Sequence, residues 1–114
     1  MNMNVTSTNQ AKRAFKRRVR HFAHKIGVNV QTLALRPMAR KWASCSTKGN
    51  LNFNLDLLAV DADLQDYVIV HELVHVLVPN HGKLWKMLMC AYVGDDYEER
   101  EERLKQIGRA QKER

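Results

Sequence analysis

Two histidines and a glutamate stand close together in the run His71-Glu72-Leu73-Val74-His75. On a helix, residues four apart lie about 6 Å apart along the axis and about 40° apart around it, so the two imidazoles point the same way. They can therefore bind one metal ion. Glu72 is turned about 60° from His75. From there it can reach a water at the ion, which is where a general base is needed. The run predicts a metal site with Glu72 as the proton acceptor.

A catalytic zinc site needs a third protein ligand and one open position. His81 follows beyond Pro79, which must end a helix, and a turn there can return the imidazole to the ion. The spacing of the three histidines matches that of metzincin proteases, although Val78 stands where those enzymes have a turn glycine and no clear Met-turn follows. The alternative third ligand is a carboxylate from a later helix, as in gluzincins. The candidates are Glu98, Glu99, Glu101 and Glu102.

This site predicts the hydrolysis of amide bonds in a peptide or protein substrate. The metal would lower the pKa of the attacking water from 15.7 toward about 7, and Glu72 would carry its proton to the leaving amine. Zn²⁺ is the expected ion, one per chain, while cobalt, manganese and nickel stay open at a three-histidine site. If residues 51–55 form an edge strand, they could hold an extended substrate by backbone pairing.

The first half of the chain predicts one helix and a small sheet. Apolar residues over 9–26 recur at spacings of three and four, which predicts an amphipathic helix capped by Gly27. Residues 28–36 have the composition of a strand. Residues 40–46 and 51–55 flank a turn signal, so they predict a hairpin in which one face of the second strand is buried.

The second half predicts helices. Residues 62–78 are apolar on nearly every face apart from the two histidines and the glutamate, which predicts a central helix. A helix over 83–93 and a charged helix over 96–114 follow, and residues 1–8 are expected to fray. The predicted fold class is α+β: a single small domain over 1–114, with a basic N-terminal helix, a three-stranded antiparallel sheet, the central helix and C-terminal helices.

Charge is unevenly distributed along the chain, whose net charge is +7. Residues 1–55 carry eleven Lys or Arg and no Asp or Glu, whereas residues 56–114 carry eight Lys or Arg and all twelve acids. Such an excess suggests an anionic partner, most often nucleic acid. The alternative is a solvated helix face. The residues that would contact nucleic acid lie largely off the apolar stripe of the first helix: Lys12, Arg13, Lys16, Arg17 and Arg20.

Several classes of protein are disfavoured. No apolar run has the length of a membrane span, so no membrane partner is expected, and the N-terminus lacks the layout of a secretory signal. Cys45 and Cys90 are too few and too far apart for a disulfide framework. We expect a reduced, cytoplasmic protein in which each cysteine packs as a small apolar residue.

Linked motifs extend well beyond the metal-binding run. They are RKWASCS at 40–46, KGNLNFN at 48–54, YVIVHELVH at 67–75, PNH at 79–81, and Trp85. Together, over roughly residues 12–105, they resemble the YgjP-like metallopeptidase domain, a family of predicted zinc-dependent hydrolases. The resemblance implies metal ligands at His71, His75 and His81 and a catalytic Glu72. Family members usually carry an additional N-terminal half, so the present length is closer to that of the compact proteins called minigluzincins.

Three functions are open from the sequence. The leading one is a small zinc peptidase. The second is a SprT-like protease acting on proteins bound to nucleic acid, with the basic first helix tracking phosphates. The third is a non-catalytic, metal-stabilised binding module. A salt-dependent gel shift would favour the second function, and bound zinc without any cleavage would favour the third.

Overall fold

The chain begins with a long helix that buries one apolar face. In the computed structural model, which describes the backbone of residues 3–112 and the side chains of residues 8–108, α1 spans Met3–Ile26. It starts earlier than predicted, because residues 3–8, which were expected to fray, are helical. Residues 1 and 2 lie outside the described chain. Gly27, with φ at 89°, ends α1 as predicted, and its amide donates to the Ala23 carbonyl at 2.9 Å.

Three short strands form a mixed sheet in the order β1-β3-β2. They are β1 (Thr32–Arg36), β2 (Ala43–Cys45) and β3 (Asn50–Asn54). β2 and β3 form the predicted antiparallel hairpin, but β1 pairs with β3 in parallel, so the prediction of a wholly antiparallel sheet is wrong. The chain does reverse direction between β1 and β2. However, β3 inserts between them, which gives β1 a neighbour that runs in its own direction.

A 3-10 helix, Leu55–Ala59, interrupts the alternation predicted for residues 51–55. Asn54 caps it, because its Oδ1 accepts from the Asp56 amide at 3.0 Å. Its Nδ2 donates to the carbonyls of Met38 and Lys41, both at 2.9 Å. Asn54 is therefore buried with its side-chain oxygen and nitrogen both bonded, although the alternation places it on the polar face.

The remaining helices are α2 (Ala62–Leu77), α3 (Lys83–Tyr92) and α4 (Tyr97–Lys112), close to their predicted bounds. As predicted, α2 is central: α1, α3, α4 and β2 all pack against it. Its buried residues are Leu64, Tyr67, Val68, Ile69, Val70, Leu73 and Val74. None of the helices in the described chain combines the length and the apolar character needed to cross a membrane.

Polar contacts fix the neighbouring helices on α2. From α1, Arg18 donates to Gln65 Oε1 at 2.7 Å and to the Ala62 carbonyl at 3.0 Å, and it pairs with the Asp66 carboxylate. From α4, Arg103 donates to Asp63 Oδ2 at 2.8 Å. These contacts lie near the start of α2, so the histidine end of the helix stays open to the other elements.

Candidate metal centre

Three histidine rings converge at the C-terminal end of α2. Nε2 of His75 lies 3.0 Å from Nε2 of His71 and 2.8 Å from Nε2 of His81. Among the described side chains, these three form the one group of three or more His, Cys, Asp or Glu residues that could hold a metal ion, with ligand atoms all within 4.8 Å of one another. Nitrogens bound at 2.0–2.1 Å to a tetrahedral ion are roughly 3.3 Å apart, so a small opening of the cluster would admit one ion.

Local chain geometry brings the third histidine to the first two. His71 and His75 share one face of α2, as the four-residue spacing predicts. The helix ends at Leu77, Val78 is extended with φ −132° and ψ 97°, and α3 begins only at Lys83. The short segment between the helices places His81 back against His75. None of the four glutamates considered as alternative ligands belongs to the cluster of described side chains.

The surroundings of His71 and His75 disfavour the charged form of these two imidazoles. Burial, followed by the charges of His75 and His81, lowers the pKa of His71 from 6.5 to about 3. Burial also lowers the pKa of His75. His75 Nδ1–H donates to the Val78 carbonyl at 3.3 Å, which leaves the lone pair on Nε2. A neutral imidazole with a free lone pair is the form of histidine that binds a metal.

Two aromatic residues support the histidine rings. The Tyr67 hydroxyl, one turn earlier on α2, lies 3.0 Å from His71 Nδ1. Trp85 is 5% exposed, and its ring centroid lies 5.2, 5.6 and 4.6 Å from those of His71, His75 and His81. Trp85 is therefore a core residue that packs against all three histidine rings. Its contact with the histidines was not predicted, although its spacing of four residues from His81 was a usable signal.

Glu72 lies beside the cluster, on the side of the edge strand β2. Burial raises the pKa of Glu72, while the hydrogen bond from the Cys45 thiol and the charge of Lys41 lower it. Burial, and then the Glu72 charge, raises the pKa of Cys45 to about 12, so this residue is a neutral thiol near neutral pH. Cys45 is partly buried and Cys90 is exposed, so the expectation that both are buried is wrong for Cys90.

A cavity of about 220 Å³ opens beside His71 and Glu72. Trp42 and Ala43 line it from the sheet side. From α4, the lining residues are Glu101, Leu104 and Lys105. The cavity therefore lies between β2 and α4, next to the histidine cluster.

The basic residues of α1 lie apart from this cavity. Phe15 and Val19 turn the opposite face of the helix into the core. Of the five predicted contact residues, Arg13, Arg17 and Arg20 are exposed, and Lys12 and Lys16 are partly buried. None of the five lines the cavity beside the histidines.

The chain matches the family model described as YgjP-like, metallopeptidase domain, over residues 2–107. Two solved structures are similar, both metallopeptidase zymogens. Jannalysin of Methanocaldococcus jannaschii is 26% identical with a TM-score of 0.71, over 81% of this chain and 94% of that one. Abylysin of Pyrococcus abyssi is 19% identical with a TM-score of 0.70, over 79% of this chain and 90% of that one, a likeness that shows the fold alone. No curated protein matches. The chain belongs to the YgjP-like metallopeptidase domain family and is a metal-dependent protease with a peptide or protein substrate.

Proposed function

We propose that this chain is a zinc-dependent peptidase in which His71, His75 and His81 hold the ion and Glu72 is the general base. One observation carries the proposal: three imidazole Nε2 atoms converge beside a largely buried carboxylate. Three nitrogen ligands and one open position are a donor set of catalytic zinc. The lowered pKa values of His71 and His75 support it, because both residues are ready to bind without losing a proton.

The chain's own residues then provide the proton transfer. An ion held at the three nitrogens would supply Lewis-acid activation of the scissile carbonyl and of the attacking water. Glu72 accepts a proton from that water at a carboxylate oxygen and passes it to the leaving amine nitrogen. Burial raises the pKa of Glu72 toward the operating pH, which favours both transfers. The Cys45 thiol donates to the Glu72 carboxylate and restricts its orientation.

The substrate would lie along β2. This strand is at the edge of the sheet, whereas β3, which contains most of residues 51–55, is paired on both sides. The condition under which residues 51–55 could pair with a substrate, a position at the sheet edge, is therefore not met. β2 packs against α2, and its first residue, Ala43, lines the cavity beside Glu72. An extended peptide pairing with the outer edge of β2 would pass that cavity.

The Glu72→Gln variant tests the mechanism. We expect one zinc per chain to be retained, because Glu72 is not among the three clustered ligands. Hydrolysis of an unfolded protein should fall by about 10²- to 10⁴-fold, since the proton acceptor is lost. Glu102→Gln, on the exposed side of α4, is the matched control. Full activity in Glu72→Gln would overturn the mechanism. Bound zinc with no cleavage by the parent protein would support the binding module instead.

A second candidate, proteolysis of proteins bound to nucleic acid, is favoured by one feature of α1. Arg13, Arg17 and Arg20 are exposed and lie within about 60° of one another on the helix, opposite the core. In the part of the chain with described side chains, none of them forms an ion pair. Three arginines in a row can follow a phosphate backbone.

A salt series with a DNA duplex tests this second candidate. Affinity should fall as salt rises, and replacing the three arginines by glutamine should reduce the slope of log K against log salt by roughly 3. Replacing Lys25, Arg36 and Lys48 by glutamine is the charge-matched control. Absence of a gel shift at low salt, or equal slopes for the two triple variants, would remove nucleic acid as a partner.

A further inference from the structure

A second cavity adjoins the first one at Trp42. Its volume is about 210 Å³, and Arg40, Lys41 and Trp42 are among its lining residues. Trp42 also lines the cavity beside His71 and Glu72, so the two spaces share this residue. A substrate extending past Trp42 from the cleavage position would enter the second cavity.

The lining of this second cavity is electropositive. Arg40 and Lys41 are exposed cations, and neither forms an ion pair with any side chain between residues 8 and 108. One carboxylate, that of Asp56, lines the same space and leaves the cations in excess.

The loop that carries the two cations is held in place by the buried Asn54. Its Nδ2 donates to the carbonyls of Met38 and Lys41, one on each side of Arg40. Gly108 of α4 also lines this cavity, and a Cβ added there would be in ordinary contact with Trp42 Nε1, at 3.8 Å. A loop already fixed by hydrogen bonds loses little entropy when it binds a ligand.

We propose that this second cavity is a subsite for a carboxylate of the substrate, held by Arg40 and Lys41 next to the cleaved bond. The inference rests on the proposed peptidase function and names its substrate class. The carboxylate belongs either to an acidic side chain or to a free C-terminus near the scissile bond. The Arg40 guanidinium can donate two parallel hydrogen bonds to it, and the Lys41 ammonium adds a point charge.

Peptide binding to the zinc-loaded Glu72→Gln protein tests the subsite without cleavage. The probes are fluorescein-labelled hexapeptides in which a single Glu occupies each position in turn, each with a Gln counterpart. Each is made with a free and with an amidated C-terminus. We expect at least one carboxylate peptide to bind about five- to ten-fold tighter than its neutral partner. Preference for Glu would identify a side-chain carboxylate, and preference for the free C-terminus would identify the terminal one.

Further substitutions in the Glu72→Gln protein identify the residues that cause the preference for carboxylate peptides. Arg40→Gln with Lys41→Gln should abolish it, whereas Asp56→Asn should increase it, because the competing carboxylate is removed. Lys25→Gln with Lys48→Gln, two exposed cations that do not line this cavity, makes the same change in net charge and should leave the preference intact. A thermal melt of each variant confirms folding. A preference that survives in the Arg40 and Lys41 variant, or no preference at all, would overturn the proposal.

Cleavage of the same peptides by the parent protein separates this inference from the proposed function. Carboxylate-selective binding without cleavage would remove the peptidase function and leave the subsite standing. Cleavage without any preference for a carboxylate would remove the subsite and leave the peptidase function. Cleavage that favours the carboxylate peptides, and loses that selectivity in the Arg40 and Lys41 variant, would support both.

Discussion

At the scale of single residues, Tyr67 is the contact that orients His71. If His71 held a metal through Nε2, its proton would be on Nδ1, and that N–H would donate to the Tyr67 oxygen 3.0 Å away. Loss of such a partner typically weakens metal binding 10- to 100-fold. We therefore expect Tyr67→Phe to fold and to bind zinc at least about ten-fold more weakly, as measured by competition with a chromophoric chelator. Tyr92→Phe deletes the same hydroxyl from α3, and an equal loss in that control would contradict this role.

The lowered pKa of His71 makes the metal-free protein sensitive to acid. An unfolded histidine takes a proton near pH 6.5, but folded His71 does so only near 3. Between these values the unfolded state binds more protons, so the free energy of unfolding falls as the pH falls. The raised pKa of Glu72 acts in the opposite sense above its ordinary 4.5.

Urea unfolding in EDTA at several pH values measures this effect. We expect the urea concentration at the midpoint of unfolding to fall as the pH decreases from 6.5 toward 4.5. The slope of this midpoint against pH should be smaller for His71→Gln, which lacks the buried imidazole. His24→Gln, at an exposed position of α1, should keep the parent slope. Identical slopes in all three proteins would show that His71 is not protected from protonation.

The residues of the proposed metal site differ in how far the sequence could predict them. His71, Glu72 and His75 follow from the helical period, and His81 follows from a proline that must end α2. Cys45 comes from a strand far along the chain, and its contact with Glu72 depends on how the sheet packs on α2. Periodicity describes one element at a time, so it carries no information about that contact.

At the scale of elements, Arg18 is the side chain that joins α1 to α2. It bonds to Gln65, to the Ala62 carbonyl and to Asp66. The Arg18 and Asp66 side chains are 33% and 32% exposed, so solvent screens part of the attraction. We expect Arg18→Met to lower the free energy of unfolding by about 1 kcal/mol.

Arg17→Met, at the adjacent exposed position, is the matched control for Arg18→Met and should change the free energy of unfolding by less than about 0.5 kcal/mol. Urea denaturation of both variants measures the difference. Equal effects would mean that the net charge of α1, rather than the contact of Arg18 with α2, determines the change in the free energy of unfolding.

Asn54 joins β3, the 3-10 helix and the loop before β2. Replacing it by alanine leaves the Met38 and Lys41 carbonyls and the Asp56 amide without this partner. We expect Asn54→Ala to lower the free energy of unfolding by about 1–3 kcal/mol. Asn52→Ala, on the same strand and only partly buried, should cost less. Urea midpoints decide between them, and a cost for Asn52→Ala equal to that for Asn54→Ala would contradict the role given to Asn54.

Helix bounds were easier to predict than sheet order. Pro79 and Gly27 mark helix ends through their backbone chemistry, which is local. The parallel pairing of β1 with β3 depends on which strand lies between the other two. The alternation of apolar and polar residues along β1 would be the same beside β2 as beside β3, so it cannot show which of them is the neighbour. Asn54 was predicted on the polar face because alternation cannot show that the following residues turn into a 3-10 helix.

At the scale of the whole molecule, the two halves of the chain use their charges differently. Acidic residues of the second half find partners: Asp63 and Asp66 bind Arg103 and Arg18 and hold α4 and α1 on α2. Most cations of the first half have no such partner among the described side chains. The charge asymmetry was visible in the sequence, but which cations are used within the fold depends on the packing of the helices.

Metal binding should stabilise the whole fold, because the site exists only when α2 and the turn carrying His81 are in place. A ligand that binds the folded state alone adds about 2.7 kcal/mol at one hundred times its Kd. For a chain of this size that corresponds to a rise in Tm of roughly 10–20 °C. Thermal melts with zinc and with EDTA measure it.

His81→Gln should lose most of this stabilisation at the same zinc concentration, because two nitrogens remain where three are needed. His21→Gln, at an exposed position on α1, removes a histidine without touching the site and should respond to zinc like the parent protein. If zinc raised the Tm of His81→Gln as much as that of the parent, His81 would not be a ligand. The third position would then belong to a group outside the histidine cluster, such as a carboxylate of α4.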